Sequence, residues 1–142
     1  MASDAWSRWQ PVALSLLRMV MGFLFMPHGA QKLFGAFGDE PAELLSLRGV
    51  AGVLEVFGGL MILVGWYTRP VAFILSGQMA VAYWLRHAPD GFWPVLNGGE
   101  LAAFYCFAYL FLSTAGGGDW SVDAWLNRRR ADLGRPRPAS AS

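Results

Sequence analysis

The sequence predicts an all-α membrane protein: a bundle of four transmembrane helices with a short C-terminal interfacial helix. Three observations carry that expectation. With 55% hydrophobic and 15% charged residues over 142 positions, the chain is too apolar for a soluble domain of its size, which must cover its core with polar side chains. It contains four apolar stretches near the ~20 residues that a helix needs to cross hydrocarbon. Its tryptophans and arginines gather at the ends of those stretches, where headgroups and short loops favour them. A formal net charge of +1 supplies no global field for nucleic acid or an acidic polymer, so the expected surroundings are membrane lipid.

Residues 1–10 read as a cytoplasmic N-terminal segment holding Trp6, Arg8 and Trp9. No small-residue cleavage site follows the first apolar run, so that run is expected to remain as a span. A transmembrane domain is expected over 11–115, with spans at about 11–34, 48–67, 70–86 and 98–114. Gly35 and Gly38 punctuate the end of the first span, Thr68-Arg69-Pro70 turns between the second and third, and Ala88-Pro89-Asp90-Gly91 breaks the third. Residues 116–133 read as a turn and an interfacial helix, with Trp120, Trp125 and Leu126 toward lipid and the arginines toward anionic headgroups. Residues 134–142 are expected to be a disordered tail.

Arg8, Arg69, Arg128, Arg129, Arg130, Arg135 and Arg137 fall on one side after an even number of crossings, whereas the first loop carries Asp39, Glu40 and Glu43. The positive side faces inward. Both termini are therefore expected in the cytoplasm of a bacterial cell, with the chain in its inner membrane. Arg48, Arg86 and His87 lie against that trend.

Ionisable residues inside apolar spans are costly unless paired, and each marks a candidate site. At ~100° per residue, Arg18, His28 and Lys32 share one face of the first span, with Lys32 about 40° from each of the others. Glu55 stands about 10 Å into the second span, level with His28, so the carboxylate is within reach of His28 or Lys32. Gly52 and Gly59 share its face and permit close helix approach. Glu100 opens the fourth span above Phe104, Phe107 and Phe111, and Gln78 sits mid-way along the third. The expected site is a polar pocket in the outer half of the bundle. His28 and Glu55 would be its catalytic, proton-handling pair; Lys32, Glu100, Gln31, Asn97 and Phe104 would contact the substrate; Arg18 would be a structural or gating cation.

Each residue also has a structural role open to it. Lys32 can snorkel to headgroups, His28 and Glu55 can fix helix register, and Arg18 can pair with phosphate, Asp119 or Asp123. The phenylalanines can be lipid contacts. The single cysteine, Cys106, excludes an internal disulfide or a dithiol centre. With only His28 and His87 available, at different expected depths, no haem or metal is expected.

Three segments, LRMVMGFLFMPHGAQKLFG, GVLEVFGGLMILVGWYTRP and NGGELAAFYCFAYLFLSTAGGGDWSVD, together resemble the DoxX family of small four-helix membrane proteins. The match rests on H-G-x-x-K at His28 to Lys32, E-x-x-G-G at Glu55 to Gly59, and G-x-G-x-W-S-x-D at Gly116 to Asp123. The resemblance implies a quinone-linked oxidoreductase or a subunit of one, with a quinone as the small lipophilic substrate or cofactor. One relative is a subunit of a thiosulfate:quinone oxidoreductase, and others are tied to thiol and oxidative-stress systems. Because paired cysteines are missing, a redox partner protein or a quinone must supply half of any electron transfer. Whether this chain is itself an enzyme stays open. Two alternatives stand beside it: a non-catalytic membrane subunit that anchors a redox or stress-response partner, and a small proton-coupled transporter, for which one four-helix chain offers a narrow path unless it forms a homo-oligomer.

Overall fold

A computed structural model describes residues 2–134 of the chain. Every regular element among the described residues is helical. The first helix, α1, covers Ala2–Phe34 and carries Pro11 and Pro27 within it. It ends at Gly35, whose φ of 65° suits a residue without Cβ. In the loop that follows, Arg48 donates to Asp39, which holds that exposed carboxyl below the usual carboxylate range.

Helix α2 covers Leu47–Val64. Ser46 starts it, its hydroxyl accepting the Gly49 N–H at 3.0 Å. The middle turn, Leu54–Gly58, is wound as a π-turn. Gly65, with φ 75°, ends the helix. Helix α3 starts at Thr68 and runs on through Ala82 into a second π-turn, Tyr83–His87. After a short 3-10 turn, Ala88–Asp90, and one helical turn, Pro94–Asn97, α4 covers Glu100–Ala115. The last helix, α5, is Val122–Leu133. Ser121 caps it by accepting the Ala124 N–H at 3.1 Å.

The first helix ends at Phe34 as expected, and the boundary between the second and third shifts at Gly65. The second helix stops at Val64 instead of 67 because Gly65 turns left-handed, and the third therefore begins at Thr68 instead of 70. The stretch 116–133, expected as a turn and a helix, is a glycine turn followed by α5. All of the expected tail except Gly134 lies outside the described residues, Arg135 and Arg137 included.

Helix α1 lies along α2, the centre of α2 touches α3, and α3 lies along α4. All four contribute to one core, with Met21 and Phe25 from α1, Ile62 from α2, Leu75 from α3 and Tyr109 from α4 among its members. Phe25 closes α1 onto α4, tilted against Tyr105 at 4.9 Å and edge-on to Tyr109 at 5.1 Å.

The surface is apolar where a soluble protein is polar. Trp6, Trp84 and Trp93, with Phe23, Phe73 and Phe107, are all more than 60% exposed, while Ser15, Arg18, Glu55 and Thr68 are buried. Two helical stretches, Trp6–Phe34 and Leu47–Val64, are long and apolar enough to cross a membrane. The outward phenylalanines and the inward charges fit a lipid surround.

Glycines set the distance between α1 and α2. A Cβ at Gly22 would stand 2.7 Å from Gly59 O, and one at Gly29 would stand 2.7 Å from Gly52 O. Backbone cannot yield to such contacts as a flexible side chain can. Gly22→Ala and Gly29→Ala are therefore expected to cost about 1–3 kcal/mol each, as overpacking does. Gly77, in α3, has nothing within 4 Å of its missing Cβ. Gly77→Ala is expected to be neutral or to stabilise by up to about 1 kcal/mol. Thermal unfolding in detergent measures the contrast, and equal effects at the three positions would contradict the close crossing.

Candidate functional site

The close crossing of α1 and α2 brings the H-G-x-x-K and E-x-x-G-G elements together. Gly29 meets the α2 backbone at Gly52 and Val56, and one turn further along α1 the Lys32 ammonium pairs with Glu55 Oε1. The same oxygen accepts from Gln78 Nε2 of α3 at 2.9 Å. Gln78 also reaches Ala51 O at 3.4 Å. Three helices thus converge on a carboxylate that is 2% exposed. Its second oxygen, Oε2, has no hydrogen-bond partner, and neither does Gln78 Oε1. Glu55 stands within a π-turn, a local widening that often accompanies functional positions.

The partner of Glu55 is Lys32, not His28. His28 is half-buried, one turn from Lys32 along α1. The lysine side chain is 29% exposed against 3% for the glutamate. Its ammonium therefore bridges the outside and a buried carboxylate. Gln31 is half-buried beside Lys32. Tyr109, which sequence reasoning did not single out, is fully buried with an unpartnered hydroxyl. A tyrosine in an aromatic stripe gives no signal that separates it from packing.

Of the expected contacts, Lys32 meets Glu55 directly, and the others lie as follows. Glu100 is exposed at the first turn of α4, and Phe104 is 61% exposed on the outer face. Asn97 is buried but ties the α3–α4 loop: its Nδ2 donates to Gly91 O at 2.8 Å and its Oδ1 accepts the Gly99 N–H at 2.8 Å. Beside that loop an apolar cavity of about 560 Å³ opens between α3 and α4, lined by Tyr83, Trp84, Phe92, Trp93, Cys106 and Phe107.

At the opposite end of the molecule, Arg18 is completely buried. Its guanidinium donates to four carbonyls: Gly117 O and Trp120 O at 2.8 Å each, and Ile62 O and Leu63 O at 2.5 Å each. The expected partner Asp123 is committed differently. Its carboxylate accepts the Tyr67 N–H at 2.9 Å and the Thr68 N–H at 2.8 Å, holding Tyr67 at a φ of 49° that few non-glycine residues adopt. Trp120 N donates to Ser15 Oγ at 3.2 Å. The G-x-G-x-W-S-x-D element is therefore a structural dock, which fastens the start of α5 to the α2–α3 turn and to α1.

The DoxX family model matches residues 13–88, the stretch that contains both halves of the buried pair. This chain belongs to the DoxX family. It is 38% identical to an uncharacterized protein of Haemophilus influenzae over 129 residues, 82% of this chain and 92% of that one. It is 24% identical to an uncharacterized membrane protein of Mycobacterium tuberculosis over 155 aligned positions, 94% of this chain and 95% of the other. It is 28% identical to the inner membrane protein YqjF of Escherichia coli over 129 residues, 84% of this chain and 96% of the other. No solved structure matches. With its apolar helices, these relatives identify this DoxX chain as a membrane protein.

The two α1 cations make separable predictions. Lys32→Met leaves an unpaired buried carboxylate and is expected to cost about 3–5 kcal/mol. Adding Glu55→Gln should recover part of that loss, and a strictly additive double variant would show that the pair is not coupled. Arg18→Lys offers three donors to four carbonyls and is expected to cost at least about 1–3 kcal/mol through the orphaned acceptor. Both series are read by denaturant or thermal unfolding in detergent, and an unchanged midpoint for Arg18→Lys would contradict the clamp.

Proposed function

We propose that this DoxX protein crosses a bacterial inner membrane four times with both termini cytoplasmic. We further propose that it acts as a quinone-linked oxidoreductase, or as the membrane subunit of one, by binding a small lipophilic substrate at the Lys32–Glu55–Gln78 centre. Four crossings are supported by helix length: α3 spans about 30 Å and α4 about 24 Å at ~1.5 Å per residue. The orientation is supported by Arg69 and Arg130 sharing the Arg18 end of the molecule.

The observation that carries the reading is Glu55. One oxygen is held by two donors, while the other is buried without a protein partner. A carboxylate only needed to tie helices would use both oxygens, because an unmade bond at depth is costly. The donor set also fits a quinone head group. Lys32 has two N–H groups beyond the one given to Glu55 and enough exposure to meet a carbonyl oxygen arriving from lipid. Glu55 Oε2 and the His28 imidazole can hold or pass a proton beside it. A quinone, when bound, takes up electrons and protons together. The chain has one cysteine and so no dithiol of its own, and the electrons must come from a partner protein.

A second reading, a non-catalytic subunit that anchors a redox or stress-response partner, is favoured by Arg128, Arg129 and Arg130, all exposed on α5. Substitution separates the two. His28→Ala and Glu55→Gln are expected to weaken binding of a quinone analogue to the detergent-purified protein by about tenfold or more, the loss of one charge-assisted bond. Ala103 also lines the aromatic cavity between α3 and α4, and Ala103→Trp, which fills that cavity instead, is expected to leave the binding unchanged. Folded His28 and Glu55 variants that bind as the wild type does would overturn the first reading. Loss of cellular function on replacing the three arginines with glutamine, with silent pocket variants, would establish the second.

A further inference from the structure

A cavity of about 460 Å³ lies at the Arg18 end of the molecule, where the α2–α3 turn meets the α4–α5 turn. No part of the Lys32–Glu55–Gln78 centre lines it. Its polar wall contains Arg69, Arg130 and Thr68 around the Gly116–Gly118 backbone, and Trp66 and Leu126 supply an apolar side. Among the described residues, neither Arg69 nor Arg130 forms an ion pair. The one carboxylate in the wall, Asp123, is already held by the Tyr67 and Thr68 N–H groups. That leaves a cationic excess on a small concave surface.

Two features make this more than a basic patch. Arg69 is fixed: its Nη1 donates to Thr114 O at 2.6 Å, and Gly116, with φ 90°, passes beneath its guanidinium where a Cβ would come within 3.4 Å of Nε. Thr68 is completely buried, yet its Oγ1 has no hydrogen-bond partner. Buried hydroxyls in folded proteins are almost always bonded. An orphaned donor beside two unneutralised guanidinium groups is the complement of a tetrahedral oxyanion. Because Asp123 occupies the N–H groups at the start of α3, the anion would be held by side chains and not by the helix end.

We propose that this cavity binds a phosphate group. Arg69 and Arg130 supply the charge, Thr68 Oγ1 donates a hydrogen bond, and the Trp66–Leu126 side receives whatever is attached to the phosphate. The phosphate can belong to an anionic lipid headgroup or to a free ion, and the two are told apart by experiment.

The test uses the full-length protein in mild detergent, unfolded thermally with phosphatidylglycerol, inorganic phosphate or diacylglycerol added. A ligand that binds only the folded form raises the midpoint. Phosphatidylglycerol is expected to raise it, diacylglycerol is not, and Arg69→Gln and Arg130→Gln are expected to remove most of the rise. A rise with phosphatidylglycerol and none with inorganic phosphate assigns the site to lipid; an equal rise with inorganic phosphate assigns it to the free ion. No rise with either phosphate compound, or a rise undiminished in both variants, overturns the proposal. Should Arg69→Gln fail to fold through loss of its tie to Thr114, the exposed Arg130 carries the test. Native mass spectrometry should then show phosphatidylglycerol occupancy about tenfold lower in Arg130→Gln than in wild type, and equal occupancy would overturn the proposal.

Discussion

Both charge centres of this molecule depend on α1 and α2 meeting at backbone distance. Gly22 against Gly59 and Gly29 against Gly52 leave no room for even a methyl group. At that spacing two cations of α1 reach acceptors of α2 without crossing lipid: Arg18 takes the Ile62 and Leu63 carbonyls, and Lys32 takes the Glu55 carboxylate. A wider crossing would leave both charges unpaired at membrane depth, where each is costly. Small residues are thus the condition for the charges, and the charges in turn fix the register of the helices.

The two ends built on this crossing differ in how completely their polar groups are used. At the Arg18 end, four carbonyls, the Ser121 cap and the Asp123 carboxylate form a nearly closed set of bonds. The guanidinium fork suits several carbonyls at once, which a single ammonium would not. At the Lys32 end, Glu55 Oε2 and Gln78 Oε1 are buried and unbonded, as is the Tyr109 hydroxyl in the core against Phe25. Structural polar networks tend to be complete, and an incomplete one marks where a ligand, water or proton belongs. The clamp around Arg18 is the complete network; the orphaned groups among the described residues are Glu55 Oε2, Gln78 Oε1, the Tyr109 hydroxyl and, outside that clamp, Thr68 Oγ1 in the wall of the Arg69–Arg130 cavity.

Much of this was legible in the sequence because helical geometry is regular. The shared face of Arg18, His28 and Lys32, the equal depth of Glu55 and the small residues at 22, 29, 52 and 59 all follow from 3.6 residues per turn. Spacing fixes relative angle but not absolute rotation, which is why Phe104 lines up with Phe107 and Phe111 yet faces outward. It also misses the π-turn at Leu54–Gly58, a change of winding with no mark in the residue pattern. Asn97 stands just before the expected fourth span as a substrate contact, and in the structure it closes a one-turn helix, Pro94–Asn97, and ties the α3–α4 loop. The role of Asp123 was hidden for another reason. Its partners are backbone N–H groups more than fifty residues away, and backbone donors leave no residue signature.

The account stands or falls on whether the incomplete end at Glu55 holds a ligand. The most direct measurement is mass-spectrometric identification of small lipophilic molecules that copurify with the protein in mild detergent, wild type beside Glu55→Gln. The account predicts a quinone-type molecule retained by the wild type and largely lost from the folded variant. A wild-type protein that carries no such molecule, or a variant that retains it equally, would contradict it.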